Sequence, residues 1–336
     1  MKDVIILGIE TSCDETAAAI VKNGREVLSN IVNSQIAIHQ QFGGVVPEVA
    51  SRKHIENIAA VVNSAFQEAG LSHRDIDAVA VTNMPGLIGA LLVGLSFAKA
   101  LAYGLRLPLI TVNHLHGHIY ANFLEHDDID FPAVCLVVSG GHTSLLYMKG
   151  IGDYELIGST KDDAAGEAFD KVARFLGLGY PGGPAVERAA RQGQAGLYHL
   201  PRVFLDRNDY EFSFSGLKTA AMNLWRKIEK TEGNNPGDIA AEFQAALVDV
   251  LVEKTMRAAE KYKVKTIMMA GGVAANKFLR ENLAKMCKQG DYNLYYPSLA
   301  LCTDNAAMIA GKAYHDYNDG LFAPLNTNAH ATQFSL

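Results

Sequence analysis

Apolar residues along this chain fall into short runs bounded by polar, glycine-bearing turns, interleaved with longer stretches of helical period. Residues 4–21 read as strand, polar turn, strand: Val-Ile-Ile-Leu-Gly-Ile, then Glu-Thr-Ser-Cys-Asp-Glu-Thr, then Ala-Ala-Ala-Ile-Val. A third strand is predicted over 26–35. Pro47 opens a helix to residue 69, with Ile55, Ile58, Ala59, Val62 and Phe66 spaced for one face. A buried strand over 76–82 runs through Asn83-Met84-Pro85-Gly86 into a small-residue helix, and 107–112 closes the set as another strand. The order then recurs. Strands over 134–138 and 143–148 flank Ser139-Gly140-Gly141-His142. Far downstream, 266–270 ends in Gly271-Gly272-Val273-Ala274-Ala275-Asn276, a helix follows, and 293–296 is strand-like. The late strands of the second set lie further from its first strands than in the first set. The surplus is read as an insertion, largely helical, over 160–260. The pattern predicts two duplicated α/β domains, against the alternative of one doubly wound domain with accessory helices.

A chain of 336 residues has room for two such domains. Hydrophobic content of 49% with 20% charged residues describes a globular protein with a sizeable core. The run 87–102 comes closest to a membrane span, but Gly89, Gly94, Ser96 and Lys99 interrupt it, so a buried core helix is expected. The N-terminus lacks the small-residue cleavage site of a secretory signal, and no membrane association is expected. Four widely spaced cysteines (Cys13, Cys135, Cys287, Cys302) without a C-x-x-C pair argue against a disulfide framework or zinc ribbon, and point to the cytoplasm. A net charge of −6 gives no global footprint for nucleic acid, so an RNA substrate would need a local basic patch or a partner chain.

His114 and His118 carry the sharpest chemical signal. They follow a strand and stand four residues apart, so on a helix both imidazoles leave one face and can share a metal, while His116 points elsewhere. A metallopeptidase helix needs a glutamate beside its first histidine, and here Leu115 stands there. Cys302-Thr303-Asp304-Asn305 follows the last strand of the second set as the histidines follow the last strand of the first. Asp304 is therefore the candidate third ligand, expected to face the histidines across an interdomain cleft. The turn Glu10-Thr11-Ser12-Cys13-Asp14-Glu15-Thr16 suits cation and phosphate handling or is a solvated hairpin; its acidic residues give Cys13 nothing to lower its pKa. Ser139-Gly140-Gly141-His142-Thr143 and Gly271–Asn276 are either anion-binding turns or plain glycine turns, and neither is a P-loop. Asp162 and Asp163 read as N-capping residues of a helix in which Asp170 lies deeper. Lys218, Arg226 and Lys227, with Arg188 and Arg191, form a basic patch or a solvated face.

Together these segments, with Gly-Gly-Val-Val-Pro-Glu-Val-Ala-Ser-Arg-Lys-His (43–54), Pro-Gly-Leu-Ile-Gly-Ala-Leu (85–91), Asn-His-Leu-x-Gly-His (113–118), Asp-Ala-Ala-Gly-Glu-Ala-Phe-Asp-Lys (163–171), Tyr-Pro-Gly-Gly-Pro (180–184) and Phe-Ser-Phe-Ser-Gly-Leu-Lys-Thr (212–219), resemble the bacterial tRNA N6-adenosine threonylcarbamoyltransferase (TsaD) family over essentially the whole chain. The resemblance implies two duplicated actin-like, sugar-kinase-like ATPase domains of ribonuclease-H-like fold around a nucleotide cleft, with the helical insertion in the second. It places the boundaries at 1–112 plus 308–336 for the first domain and 113–307 for the second.

It also implies transfer of threonylcarbamoyl from threonylcarbamoyl-AMP to N6 of the adenosine 3′ to the anticodon, in tRNAs reading codons that begin with A. His114, His118 and Asp304 would hold one divalent metal, Fe(2+) or Zn(2+). Val137, Val138, Ser139, Gly140 and Gly141 would line the nucleotide site for ATP, ADP or threonylcarbamoyl-AMP, with Asp170, Gly183, Glu187 and Asn276 around ribose and adenine. Glu187 stands where many relatives carry aspartate and reaches further. Asp14, Glu15 and His142 are the catalytic candidates, Asp14 or Glu15 relaying the amine proton. Implied partners are tRNA, an inactive paralogue (TsaB) in a heterodimer, and a P-loop ATPase (TsaE). The rivals are a metallopeptidase (a label the family has historically carried), a kinase or ATPase of the same superfamily, and a non-enzymatic scaffold.

Overall fold

The computed structural model describes residues 2–205, 208–230 and 234–332. Two sheets of like topology organise it. In the first, β1 (Ile5–Glu10), β2 (Glu15–Lys22) and β3 (Glu26–Ser34) form an antiparallel meander, with α1 (Ile36–His39) after it. Helix α2 (Pro47–Ala69) leads to β4 (Ala78–Met84), which lies parallel to β1. Helix α3 (Ile88–Leu105) leads to β5 (Leu109–Asn113), parallel to β4. The order is β3-β2-β1-β4-β5. Helix α4 (His114–Glu125) starts where β5 ends.

The second sheet repeats the plan. β6 (Ala133–Val138), β7 (Thr143–Gly150) and β8 (Asp153–Ser159) are antiparallel. Four helices follow before the next strand: α5 (Ala165–Phe175), α6 (Gly182–Ala190), α7 (Ser215–Ile228) and α8 (Pro236–Tyr262). Then β9 (Thr266–Ala270) lies parallel to β6 and, after α9 (Lys277–Gly290), β10 (Asn293–Tyr295) lies parallel to β9. Short α10 (Leu299–Cys302) and α11 (Ala307–Asn318) end the set. The order β8-β7-β6-β9-β10 is that of the first sheet, so duplication is carried by topology, and the extra helices between β8 and β9 are the expected insertion.

Each sheet is central to its own unit. Near-continuous burial of β1, β2, β4, β6 and β9 follows from helices covering the faces. The chain divides into Met1–Asp127 with Pro297–Leu336, and Asp128–Tyr296. The sequence division at 112/113 and 307/308 differs, because α4 and α10 pack with the first unit: α4 lies along α11, and α11 lies on β1 and β2. The expected span 308–336 also runs into 333–336, outside the described residues.

Helix α2 departs from its predicted face. Ile55 is 65% exposed and Ala59 is exposed, whereas Ala50, His54, Ile58, Val61, Val62, Ala65 and Phe66 are buried. The buried stripe is set by what α2 packs on, β2, β3 and α3, and it includes a histidine, His54. Helix α3 is long and apolar enough to cross a membrane by length and composition, yet only its Ala90, Leu91, Gly94, Leu95, Ala98 and Ala102 face is buried. Ile88 and Leu92 on the other side are exposed, so the expectation of a wholly buried helix holds for one face.

Candidate metal centre and glycine-rich turns

In the first unit the metal-ligating candidates come together through α4 and α11. Asn113 caps α4, its side-chain oxygen accepting from the Leu115 amide at 2.8 Å, which starts the helix directly off β5 and fixes His114 in its first turn. His118, one turn on, meets His114 edge to face at 4.5 Å between ring centroids. Helix α11 comes close because Gly117 has no side chain: a Cβ there would lie 2.8 Å from Ile309 Cδ1. Asp304 sits in the turn before α11. Buried Asn305 shapes that turn, donating to the Leu301 and Thr303 carbonyls and accepting from the Met308 amide at 3.0 Å.

Asp304 Oδ1 lies 3.5 Å from His114 Nε2 and 3.1 Å from His118 Nε2, and one ligand atom from each of the three residues falls within 4.8 Å of the others. His118 is 1% exposed, and neither ring nitrogen has an aligned hydrogen bond. A buried imidazole aimed past a carboxylate without bonding to it is costly alone and fits a divalent cation shared by the three side chains. Burial, with His114 beside it, lowers the His118 pKa and favours the neutral, ligating form. The trio lies within the first unit, which corrects the expectation that Asp304 faces the histidines across an interdomain cleft. The chain re-enters the first unit at Pro297, and α10 and α11 belong to it.

Glu10, counted in the sequence only as one of three turn carboxylates, is fully buried behind the centre. Its Oε1 accepts from the Ser12 amide at 2.5 Å; its Oε2 accepts from the Thr82 hydroxyl at 2.5 Å and from His114 Nδ1 at 3.0 Å. The last contact puts the His114 proton on Nδ1 and frees Nε2 for a metal. Burial works against the imidazolium, but Asp304 and Glu10 outweigh it and raise His114 to about 9. Burial would likewise raise Glu10; His114 and Thr82 hold it below the usual carboxylate range. Glu15 goes the other way. Burial, then Asp304 and Asp14, push its carboxyl up to about 10. Burial and the same carboxylates raise the Cys13 thiol, as its acidic neighbours led one to expect.

The second unit assembles the other candidates. Ser139–His142 is the β6–β7 hairpin: the Ser139 amide donates to the His142 carbonyl at 2.8 Å, and the His142 amide donates to Ser139 Oγ at 3.2 Å. Helix α5 docks on it, the Gly166 amide bonding the Ser139 carbonyl and the Glu167 amide the Gly140 carbonyl. Asp170 accepts from the Gly182 amide at 2.7 Å, which fixes the start of α6 and hence Gly183 and Glu187. Glu187 holds Arg191 at 2.5 Å and lies 3.4 Å from both Asn276 Nδ2 and the Lys277 amide. Asn276 caps α9 and donates to Gln244 at 3.0 Å. Val137 and Val138 are buried in the sheet, so only their backbone can serve a ligand.

Other expectations shift. Asp162 and Asp163 do not cap α5, whose N-cap is Ala164 without a side-chain bond. Asp162 instead accepts from the Phe214 amide at 2.8 Å and the Ser215 amide at 3.1 Å, capping α7. Asp163 binds Lys171 and Lys218. Within the basic patch Lys218 and Arg191 are ion-paired, which leaves Arg226 and Lys227 as its exposed cations on α7. Sequence reasoning missed Glu10, Thr82 and His54 as parts of the site's support. Their only linear signal is a polar residue at a core position, and the partner that explains it is far along the chain.

Comparison with known proteins bears on the fold and the family. The family model of TsaD, tRNA N6-adenosine threonylcarbamoyltransferase, matches residues 26–311. A tRNA N6-adenosine threonylcarbamoyltransferase of Syntrophomonas wolfei subsp. wolfei is 70% identical over 336 residues, covering 100% of this chain and 99% of the relative. Two distant solved structures share the fold alone. The activator of the 2-hydroxyisocaproyl-CoA dehydratase from Clostridium difficile is 13% identical at a TM-score of 0.55, covering 94% of this chain and 97% of its own. Full-length HypF in a phosphate- and nucleotide-bound form is 14% identical at a TM-score of 0.60, covering 96% of this chain and 56% of its own. The fold is thus the actin-like ATPase fold, and the chain belongs to the TsaD family, the tRNA N6-adenosine threonylcarbamoyltransferases.

Proposed function

We propose that this enzyme makes threonylcarbamoyladenosine from threonylcarbamoyl-AMP with His114, His118 and Asp304 as its metal ligands, Asp14 and Glu15 as its proton-handling groups, and the Ser139–His142, Gly183, Glu187 and Asn276 cluster as its nucleotide site. The acceptor is N6 of the adenosine 3′ to the anticodon in tRNAs reading codons that begin with A. The observation that carries the metal assignment is the unbonded, buried His118 imidazole 3.1 Å from Asp304. A divalent cation there, Fe(2+) first and Zn(2+) as the alternative, would supply charge neutralisation for carbonyl or phosphate oxygens.

In the reaction the N6 amine attacks the carbamoyl carbon, the bond from that carbon to the phosphate oxygen breaks, and AMP leaves. The chain's own groups move the proton. Burial raises the Glu15 carboxyl and suits it to donation, which leaves Asp14 to accept the proton lost from N6. His142 joins them as a candidate at its hairpin tip. The nucleotide assignment is supported by Gly140, Gly141, Gly183 and Gly272. None has a positive φ, and none has a protein atom within 4 Å of where a Cβ would stand. Neither conformation nor internal packing asks for glycine there, whereas close approach of a phosphate or ribose does.

None of the three rivals draws support. His114 lacks the adjacent glutamate of a peptidase, and the close relative named above is a threonylcarbamoyltransferase. A cytoplasmic setting follows from the tRNA substrate and agrees with four free cysteines. The exposed apolar strip of Ile55, Ala59, Ile88 and Leu92 on α2 and α3 supports association with the paralogue TsaB. TsaE would act on that assembly.

The test is mass spectrometry of tRNA nucleosides after reconstitution with threonylcarbamoyl-AMP. His114→Ala and Asp304→Ala are expected to lose bound metal and at least about 100-fold in single-turnover rate. Unchanged rate and metal content in both would overturn the metal assignment.

A further inference from the structure

The segment 43–54, which ends in His54, has so far no part in the chemistry, yet its last residue lies directly beneath the loop that carries Asp14 and Glu15. His54 is 0% exposed on the core-facing stripe of α2, where an aliphatic residue would ordinarily sit. Its Nε2 is 2.9 Å from the Cys13 carbonyl, and its Nδ1 is 2.8 Å from the Thr16 hydroxyl. A carbonyl only accepts, so Nε2 carries the proton and Nδ1 receives the Thr16 hydroxyl. Gln35 Nε2 stands 3.5 Å from the same Nδ1. Behind it His39 Nδ1 accepts the Val46 amide at 3.2 Å, so His39 Nε2 donates to Gln35 Oε1 at 3.3 Å. Each group in this buried cluster has one proton arrangement, and burial keeps His54 neutral by lowering its pKa.

The loop above is pinned at three successive carbonyls. Ser12 O accepts from the Leu87 amide at 2.8 Å, Cys13 O from His54, and Asp14 O from the Gln35 amide at 3.0 Å. Two of the donors are backbone amides. His54 is the one side chain among the three, and it holds the peptide that leads into Asp14.

We propose that His54 is a positioning residue for threonylcarbamoyl transfer, its Nε2–H holding the Cys13 carbonyl so that Asp14 and Glu15 keep their reacting orientation. This rests on the reading of Asp14 and Glu15 as proton-handling groups. Buried beneath the loop, His54 acts through the peptide it holds, without touching substrate itself.

The geometry separates hydrogen bonding from packing. In His54→Gln the new amide reaches as far as Nε2 did and can still donate to Cys13. In His54→Asn the amide ends near the place of Nδ1 and can serve only Thr16, and in His54→Phe the ring fills the space and serves neither. In the reconstituted, metal-loaded enzyme at saturating tRNA and donor, His54→Phe and His54→Asn are expected to slow single-turnover transfer on the order of 10- to 100-fold. His54→Gln is expected to stay within about threefold of wild type. The KM for tRNA and the metal content should be unchanged in all three, since the metal ligands lie on α4 and before α11. If His54→Phe does not fold, His54→Gln and His54→Asn decide, because both introduce an amide and differ only in reach. Equal rates for His54→Gln and His54→Asn, or a wild-type rate in His54→Phe while Asp14→Asn is slow, would overturn this inference alone. Wild-type transfer in both Asp14→Asn and Glu15→Gln would overturn the proton-handling reading and this inference with it.

Discussion

Glu10, fully buried, accepts from His114 Nδ1 at 3.0 Å, and the carboxylate both fixes the tautomer and raises the basicity of Nε2. Replacing it with glutamine keeps the shape but removes the charge. Glu10→Gln is expected to bring the His114 pKa down from about 9 and to weaken metal binding by about 10- to 100-fold, read by competition with a chromophoric chelator. Metal affinity equal to wild type would refute that role. The resemblance implied the ligands themselves, and the spacing of His114 and His118 on one helical face supported them. Glu10 was not legible as a partner, because the residues between it and His114 include four strands and two long helices whose packing alone decides the contact.

Among the elements, the pair α4 and α11 sets how His114 and His118 meet Asp304, and Gly117 sets how closely the two helices approach. Gly117→Val would force the Ile309 and Met308 side chains outward and move the α11 N-terminus with Asp304. A cost of about 1–3 kcal/mol in stability is expected, with loss of metal binding while far-ultraviolet circular dichroism stays native. Full metal occupancy would show that the helices have room to spare.

In the second unit Asp163 ties α5 to α7 through Lys171 and Lys218, and those ion pairs, working against its burial, keep its carboxyl below the ordinary 3.8. A depressed carboxylate stabilises the fold above its unfolded pKa and loses that contribution as pH falls through its folded pKa. Asp163→Asn should therefore lower stability by about 1–2 kcal/mol at neutral pH. The gap from wild type should close as pH drops below 3.8, in thermal melts run from pH 7 to pH 3. A gap independent of pH would exclude the ion pair as its source. The sequence assigned Asp162 and Asp163 to capping the next helix. The Asp162 cap is real, but it serves α7, because the insertion folds back before α7 begins.

For the whole molecule, the exposed apolar strip on α2 and α3 belongs with the heterodimer proposed above. Ile55→Asp with Leu92→Asp is expected to leave the melting temperature within a few degrees, since both side chains are exposed. The same pair of changes should abolish co-elution with TsaB in size-exclusion chromatography. Co-elution as strong as wild type would move the partner surface elsewhere.

At this scale the duplicated plan was readable in the sequence. A strand–turn–strand opening and two later parallel strands recur because each burial period of two or 3.6 residues is a local property of the chain. Motif content likewise determined the family and pointed to His114, His118 and Asp304 as the candidate trio. What only the tertiary structure decided is where distant segments meet. Asp304 joins the histidines inside the first unit because the chain returns there at Pro297, and Ile55 faces outward because α3 and the sheet cover the neighbouring face of α2. Glu10 and His54 meet the partners on which their proposed roles rest, His114 and the Cys13 carbonyl, only when buried against residues far along the chain. Periodicity and motif are written in neighbouring residues; the pairing of buried polar groups depends on packing, which no local stretch of sequence contains.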